Sequence, residues 1–254
     1  MGLVSAEDRG PVRHLALNRP EKRNAFNHEL VRALGDAFRE AGADPEVRVV
    51  VLSGEGPVFS AGVDLGQLAD FAGGVEMLRP FRGEWIATCA AAEQMPKPVV
   101  AQIHGACLGG ALETVLAADL RVVTADCKLG LPETRLGLIP DVGGCSRLPA
   151  LVGVGRAKEL ILTGRTIDGT EAERIGLANR AVPDDDLEAT TEELVGELLE
   201  AQAVPVGLAK GVIDAAAKPA LATTLEYEVT AQQACVTSDE FRALAEAAIG
   251  AAKP

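Results

Sequence analysis

The chain has 254 residues, a length for one large domain or one domain with a small appendage. Hydrophobic residues reach 48%, enough for a sizeable core, but aromatics stop at 3%, so that core must be mostly Ala, Val and Leu, and base-stacking surfaces are not expected. A net charge of −13 repels nucleic acid and anionic membranes, so neither is an expected partner, and an anionic ligand would need a local basic patch. Five cysteines without a C-x-x-C spacing, and only His14, His28 and His104, argue against a metal site and for reduced thiols in a cytoplasmic protein. No stretch reads as a signal peptide or reaches transmembrane length.

In chain order, residues 12–18 alternate apolar and polar side chains and predict a strand. Asn27 predicts the cap of a helix running to about Ala41, with Leu30, Leu34 and Phe38 four apart and Gly42 closing it. Residues 47–53 predict a buried, β-branched strand, followed by a glycine-containing loop over 54–62. From Asp64 to about Glu93 the pattern is weakly helical, broken at Gly73-Gly74 and Pro80. Residues 98–103 and 120–124 predict two further strands around a helix that opens near Gly110. Short helices follow over 147–152, 156–163 and 170–175, the last capped by Thr170, then a strand over 179–182. Beyond 184 the chain predicts only helices, over 186–203, 206–217, 221–236 and 239–249. Strands alternating with helices imply an α/β fold with parallel pairing.

The chemistry concentrates in 104–144. Glu113 lies in the first turn of the helix at Gly110, and Glu133 follows 20 positions later with one strand between, a spacing that can bring both carboxylates to one mouth. Two loops share a strand, small-residue turn and helix: 59–62 (FSAG) and 108–110 (LGG). Small residues let backbone approach a ligand closely, and facing loops would aim the N–H groups of Ala61 and Gly110 at one oxygen. Each loop alone is also explained by the needs of a tight turn, and each carboxylate alone by a helix-end or solvated position. Together they describe acid–base groups beside an oxyanion hole. Asp141 is a possible third carboxylate, a turn residue or the N-cap of the helix after Gly144, and Arg19, Lys22 and Arg23 form a small basic cluster able to dock an anion. Cys145 has no histidine partner and reads as structural, and His104 as a hydrogen-bonded buried histidine.

Five segments in order, LNRPEKRNAFN (17–27), VLSGEGPVFSAGVDL (51–65), HGACLGGALE (104–113), KLGLPETRLGLIPDVGG (128–144) and LTGRTIDGTEAERIGLANRAV (162–182), resemble the crotonase superfamily of enoyl-CoA hydratases and isomerases. The resemblance implies a β-β-α spiral core over 1–182 that holds an acyl-CoA site. It also implies a helical region over 183–254 that packs in a homotrimer or a dimer of trimers. It implies an acyl-CoA thioester substrate, CoA lying along Arg23 to Ala25 and along Ala61, Gly62, Val63, Asp64 and Leu65, with Lys22 and Arg23 near its phosphates. Neither a metal nor a cofactor other than the CoA of the substrate is implied. In the hydratases, the residue matching Glu113 takes a proton from water and the residue matching Glu133 supplies the α-proton. The expected activity is hydration of a 2-enoyl-CoA. The alternatives are an enoyl- or dienoyl-CoA isomerase, a thioester hydrolase and a non-catalytic acyl-CoA binder. Asp141 departs from the usual hydratase pattern and matches the spacing of dienoyl-CoA isomerases and 3-hydroxyisobutyryl-CoA hydrolases. Ala111 replaces a frequent glycine. The tail lacks the family's basic run, leaving Phe241 and Lys253 as the candidates to reach CoA. The pocket wall is expected from Phe71, Met77, Leu78, Phe81 and Trp85.

Overall fold

The computed structural model describes residues 2–67 and 75–251. Two sheets form its frame. The larger contains β1 (Val4–Arg9), β2 (Val12–Leu17), β3 (Val49–Gly54), β4 (Val99–Ile103), β6 (Leu120–Thr124) and β9 (Arg180–Val182), in that spatial order. Only its β1–β2 hairpin is antiparallel; β2 to β9 pair parallel, in registers such as Val12↔Val49 and Val50↔Val99. The smaller holds β5 (Ala106–Leu108), β7 (Lys128–Gly130) and β8 (Thr166–Ile167). The chain therefore passes from β4 to β5 and from β6 to β7, adding a strand to one sheet and then to the other as a spiral. Parallel neighbours need crossovers, and helices supply them.

The first crossover is α1 (His28–Ala43), which buries Leu30, Val31, Leu34, Phe38 and Ala41. Asn27 Oδ1 accepts from Leu30 N at 2.9 Å, the expected cap; the helix outruns Gly42 and ends at Asp44. The second is α2 (Val75–Gln94), with Pro80 inside it. Leu78, Phe81, Trp85, Cys89 and Ala92 line its buried face. The larger of these side chains contribute about 1.5–3 kcal/mol each on burial, which together outweighs the ~3 kcal/mol that a proline costs a helix. Local pattern, diluted by proline and glycine, therefore under-reads this helix. Phe71, Lys253 and the side chain of Met77 lie outside the described residues.

Next come α3 (Gly110–Val115), α4 (Gly144–Thr163) and α5 (Gly169–Arg174). The short helices expected at 147–152 and 156–163 are one element kinked at Gly153, where φ is 76°. Asp168, not Thr170, caps α5, its side chain accepting from Glu171 N at 2.7 Å. Four helices close the chain: α6 (Leu187–Glu200), α7 (Ala203–Ala217), α8 (Leu221–Val236) and α9 (Asp239–Ala251). Val236, Phe241 and Ala245 from this last part sit in the same core as the strands. The few aromatics do more than composition suggests. Phe26, Phe38, Phe59, Phe81, Trp85 and Phe241 are all buried, and Trp85 stacks on Phe26 at 4.8 Å between ring centroids.

Asn24 pins the loop after β3. It is fully buried, sits at φ 53°, and its Nδ2 donates to the carbonyls of Glu55, Val58 and Phe59 at 2.9–3.1 Å, while Oδ1 accepts from Arg19 N. Asn24→Ala strands these groups and keeps the costly left-handed backbone, so the unfolding free energy should fall by about 2–4 kcal/mol in denaturant titrations. A loss below about 0.5 kcal/mol, the range of a neutral surface change, would contradict this role.

Candidate active site

The two small-residue loops meet main chain to main chain. Ser60 bridges to Cys107 and Phe26 to Val63. At Gly62 (φ 95°) a Cβ would stand 2.6 Å from Leu108 O, so only glycine allows the approach. Gly109, at φ 55° and ψ −133°, occupies backbone space open essentially to glycine, and a Cβ there would stand 2.8 Å from Glu133 Oε1. A Cβ at Gly110 would lie 2.4 Å from Trp85 Cη2. The indole is held there by Nε1 donating to Thr114 Oγ1 at 2.8 Å.

Most amides of these loops are already engaged. Ala61 N–H donates to Arg23 O at 2.9 Å, Gly62 N–H to Ser60 Oγ at 3.2 Å, Asp64 N–H to Phe26 O at 2.9 Å and Gly109 N–H to Gly130 O at 2.9 Å. Among the described residues, the N–H groups of Val63 and Gly110 donate to no protein group. The sequence expectation for Ala61 is therefore corrected. Left-handed backbone at Arg23 and Asn24 (φ 52° and 53°) brings the Arg23 carbonyl onto the Ala61 amide, and the free donor of this loop is Val63.

Val63, Gly110, Glu113, Glu133 and Asp141 all line one cavity of 160 Å³, walled by Leu78, Phe81, Trp85, Leu138 and Val142, with the exposed Leu65 and Leu136 at its edge. Glu113 is buried on α3, and its Oε2 accepts from Val142 N at 2.7 Å and Gly144 N at 2.8 Å, at the start of α4. Burial pushes its carboxyl well above the usual range; the charges of Glu133, Asp141 and Glu228 push the same way, and the Gly144 amide opposes them. Glu133 starts a turn of 3-10 helix, Glu133–Leu136. Its Oε2 is occluded and without a hydrogen-bond partner, and burial raises the group to about 8, opposed by its own amide and reinforced by Asp141. Asp141 is in the turn before α4 rather than at its cap, which is Gly143. Burial raises it to about 7 against the pull of the Arg82 guanidinium. Three carboxyls crowded into one buried cavity cannot all ionise near neutral pH.

A family model described as enoyl-CoA hydratase/isomerase matches residues 7–250. The chain belongs to the enoyl-CoA hydratase/isomerase family, within the crotonase superfamily. It is 32% identical over 244 residues to the short-chain-enoyl-CoA hydratase of Clostridium acetobutylicum, covering 93% of this chain and 90% of that one. It is 38% identical over 186 residues to the mitochondrial Delta(3,5)-Delta(2,4)-dienoyl-CoA isomerase of Rattus norvegicus, covering 69% of this chain and 57% of that one. Among solved structures, an enoyl-CoA hydratase/isomerase from Xanthobacter autotrophicus superposes with a TM-score of 0.88 at 31% identity, covering 100% of this chain and 99% of that one.

The remaining residues expected of this family member fall in several places. Lys22 and Arg23 are exposed, but Arg19 is not free to dock an anion: its Nη1 binds Asp64 Oδ2 at 2.5 Å. Burial acts to raise the Asp64 carboxyl, but Arg19 and the Gly66 amide outweigh it and hold the group low. Ala25 and Gly62 are buried, and Val63 and Asp64 half-buried. Phe241 is 1% exposed and packs under Gly137, so it cannot reach out to a ligand. His104 is hydrogen-bonded, to Gly56 O at 2.8 Å, but only half-buried. Burial raises the Cys145 thiol, so it is no ready nucleophile. Sequence reasoning missed Arg82, Glu228 and Gln232. Arg82 sits in the poorly patterned stretch, and the other two sit on a tail helix that looks like any solvated helix. Their signal is visible only once α8 is docked: Glu228 accepts from Gly143 N at 2.9 Å and Gln232 from Ile139 N at 3.0 Å. Among the described residues, no group of three His, Cys, Asp or Glu could hold a metal ion, and no helix is long and apolar enough to cross a membrane.

Two predictions follow from the packing and the charge. Gly110→Ala drives a methyl group into the Trp85 ring; overpacking of this kind costs about 1–3 kcal/mol, and any acyl-CoA turnover should fall even where the variant stays folded. Thermal unfolding with and without Trp85→Phe, which removes the indole atoms in the way, checks the cause. Second, raised carboxyl pKa values mean that the folded chain holds protons the unfolded chain releases. Stability should therefore be fullest below the ordinary carboxylate range and fall as pH rises to about 8. Denaturant titrations of the protein and of Glu133→Gln/Asp141→Asn should show the slope flattened in the variant; equal slopes would contradict the assignment.

Proposed function

We propose that this protein hydrates 2-enoyl-CoA thioesters. The observation that carries the reading is the shared cavity of two undonated amides, at Val63 and Gly110, and two carboxyls, at Glu113 and Glu133. Attack of water at C3 of an enoyl thioester sends an electron pair to the thioester oxygen. Two N–H groups aimed at that oxygen stabilise the enolate, and loss of one such donor typically costs about 3 kcal/mol of transition-state stabilisation. Glu113 Oε2 is committed to the Val142 and Gly144 amides, which favour its ionised form against burial; as the carboxylate, its Oε1 holds water and accepts the proton. Glu133, protonated at neutral pH, delivers a proton to C2. Lys22 and Arg23 flank the CoA phosphates, and the chain from Arg23 to Ala25 and from Ala61 to Leu65 carries the rest of CoA. The reaction uses water and the substrate's own CoA, with no metal or redox cofactor.

A second reading is a shift of a double bond in an enoyl- or dienoyl-CoA. Asp141 in the same cavity, and the similarity to a protein named a dienoyl-CoA isomerase, favour it. Against it, Asp141 Oδ2 faces Arg82 Nε at 3.3 Å, which holds the carboxylate in an ion pair.

We also propose assembly into a homotrimer, or a dimer of trimers, through α7. Val204, Leu208 and Val212, four apart, are 73%, 67% and 70% exposed in the single chain. Light scattering behind size-exclusion chromatography should give three or six copies; a monomer at micromolar concentration would contradict this.

Glu113→Gln and Glu133→Gln should each lower crotonyl-CoA hydration by about 10²- to 10⁴-fold while saturated acyl-CoA still binds. Hydration at the parent rate in both variants would overturn the reading. Activity should also fall as pH rises through about 8, where Glu133 loses its proton. Loss of 2-enoyl absorbance without water uptake would instead favour the isomerase.

A further inference from the structure

One wall of the active-site cavity is polar in a way that hydration of a plain hydrocarbon chain does not require. Arg82 reaches it from α2 and Asp141 from the turn before α4. Their side chains are 6% and 10% exposed. Nε and Oδ2 face each other at 3.3 Å, yet the geometry is not that of a hydrogen bond, and neither atom has a hydrogen-bond partner. The pair is not free to rearrange. Arg82 Nη2 donates to Leu225 O at 2.5 Å and lies 4.0 Å from Glu228 Oε2. Glu228 is itself held by the Gly143 amide and by the Ser146 hydroxyl.

The charges attract, but the buried donor and the buried acceptor are each left without a hydrogen bond, and such atoms ask for an explanation. A hydrocarbon chain against them would leave both unpaired. A carboxylate would satisfy Nε but would enter a space already lined by Glu113, Glu133 and Asp141 against the single cation Arg82, which Glu228 also faces. A neutral hydroxyl satisfies both at once, accepting from Nε–H and donating to Oδ2.

We propose that the acyl cavity selects thioesters whose acyl chain carries a neutral hydroxyl group, seated between Arg82 Nε and Asp141 Oδ2. This rests on the acyl-CoA reading for the rest of the ligand, but not on which reaction follows. Sites built to bond a hydroxyl reject its hydrocarbon analogue strongly, and here the rejection leaves two buried groups unpaired.

The test is calorimetric titration with saturated acyl-CoA thioesters of increasing length, each compared with its terminally hydroxylated and carboxylated counterparts. Saturated chains cannot be hydrated, so the result is independent of turnover. At one chain length the hydroxylated thioester should bind at least about tenfold more tightly than both counterparts. Arg82→Met and Asp141→Leu should each erase the preference, and Asp141→Asn, which keeps shape and hydrogen bonding, should retain part of it. Should the first two variants fail to fold, the unmodified protein and Asp141→Asn still decide. Unsubstituted or carboxylated chains binding as well or better at every length would overturn the proposal. A hydroxyl preference in a protein that never hydrates crotonyl-CoA would uphold it and overturn only the proposed hydratase reaction.

Discussion

A buried carboxylate held by two backbone amides is the constraint on which this site depends. Glu113 lies on a helix buried on every side, where an unpaired charge would cost several kcal/mol. The fold meets that cost by ending a turn, Asp141 to Gly144, directly against it, so that the Val142 amide and the first amide of α4, at Gly144, point at Oε2. Gly144 is part of the same solution: a Cβ there would lie 3.0 Å from Glu113 Oε2. The intervening amide, at Gly143, goes to Glu228 of α8. One turn therefore fixes a carboxylate from the spiral core and another from the helical tail. This explains why the tail cannot be treated as an appendage hung on a finished core.

Close backbone approach is the second requirement, and parallel strands supply it. β3 and β4 run side by side, so the loops leaving their carboxyl ends start as neighbours, and the Ser60–Cys107 bridge keeps them so. Gly62 and Gly109 then remove the side chains that would hold the loops apart. The amides at Val63 and Gly110 are left without a protein acceptor among the described residues, while those of Ala61, Gly62, Asp64 and Gly109 are consumed in holding the loops together. Two residues with undonated amides thus come to line one cavity as a by-product of how two turns are braced.

Much of this was legible in the sequence, for reasons that differ by residue. The strand at 12–18 read correctly from its alternation, and those at 47–53, 98–103 and 120–124 because buried parallel strands are runs rich in β-branched residues bounded by turns. The short strands β5, β7 and β8 did not, since two or three residues carry no period. Glu113 and Glu133 stood out as acids within apolar or glycine-rich surroundings, and both do line one cavity. Ala61 misled because a small residue in a turn signals close approach but not which amide is left over; that is decided by the Arg23 carbonyl, distant in sequence. Arg82, Glu228 and Gln232 were invisible for the same reason. Their roles exist only after α2 and α8 have docked, and no local pattern encodes a partner so many positions away.

The central claim is that Val63 and Gly110, rather than Ala61, receive the thioester oxygen. A crystal structure of the complex with a non-reactive acyl-CoA thioester tests it most directly. The account predicts a carbonyl oxygen about 2.7–3.1 Å from both the Val63 and the Gly110 nitrogen, with the Ala61 amide still bonded to Arg23. A thioester oxygen bound to Ala61 after release of that bond, or turned toward solvent, would contradict it.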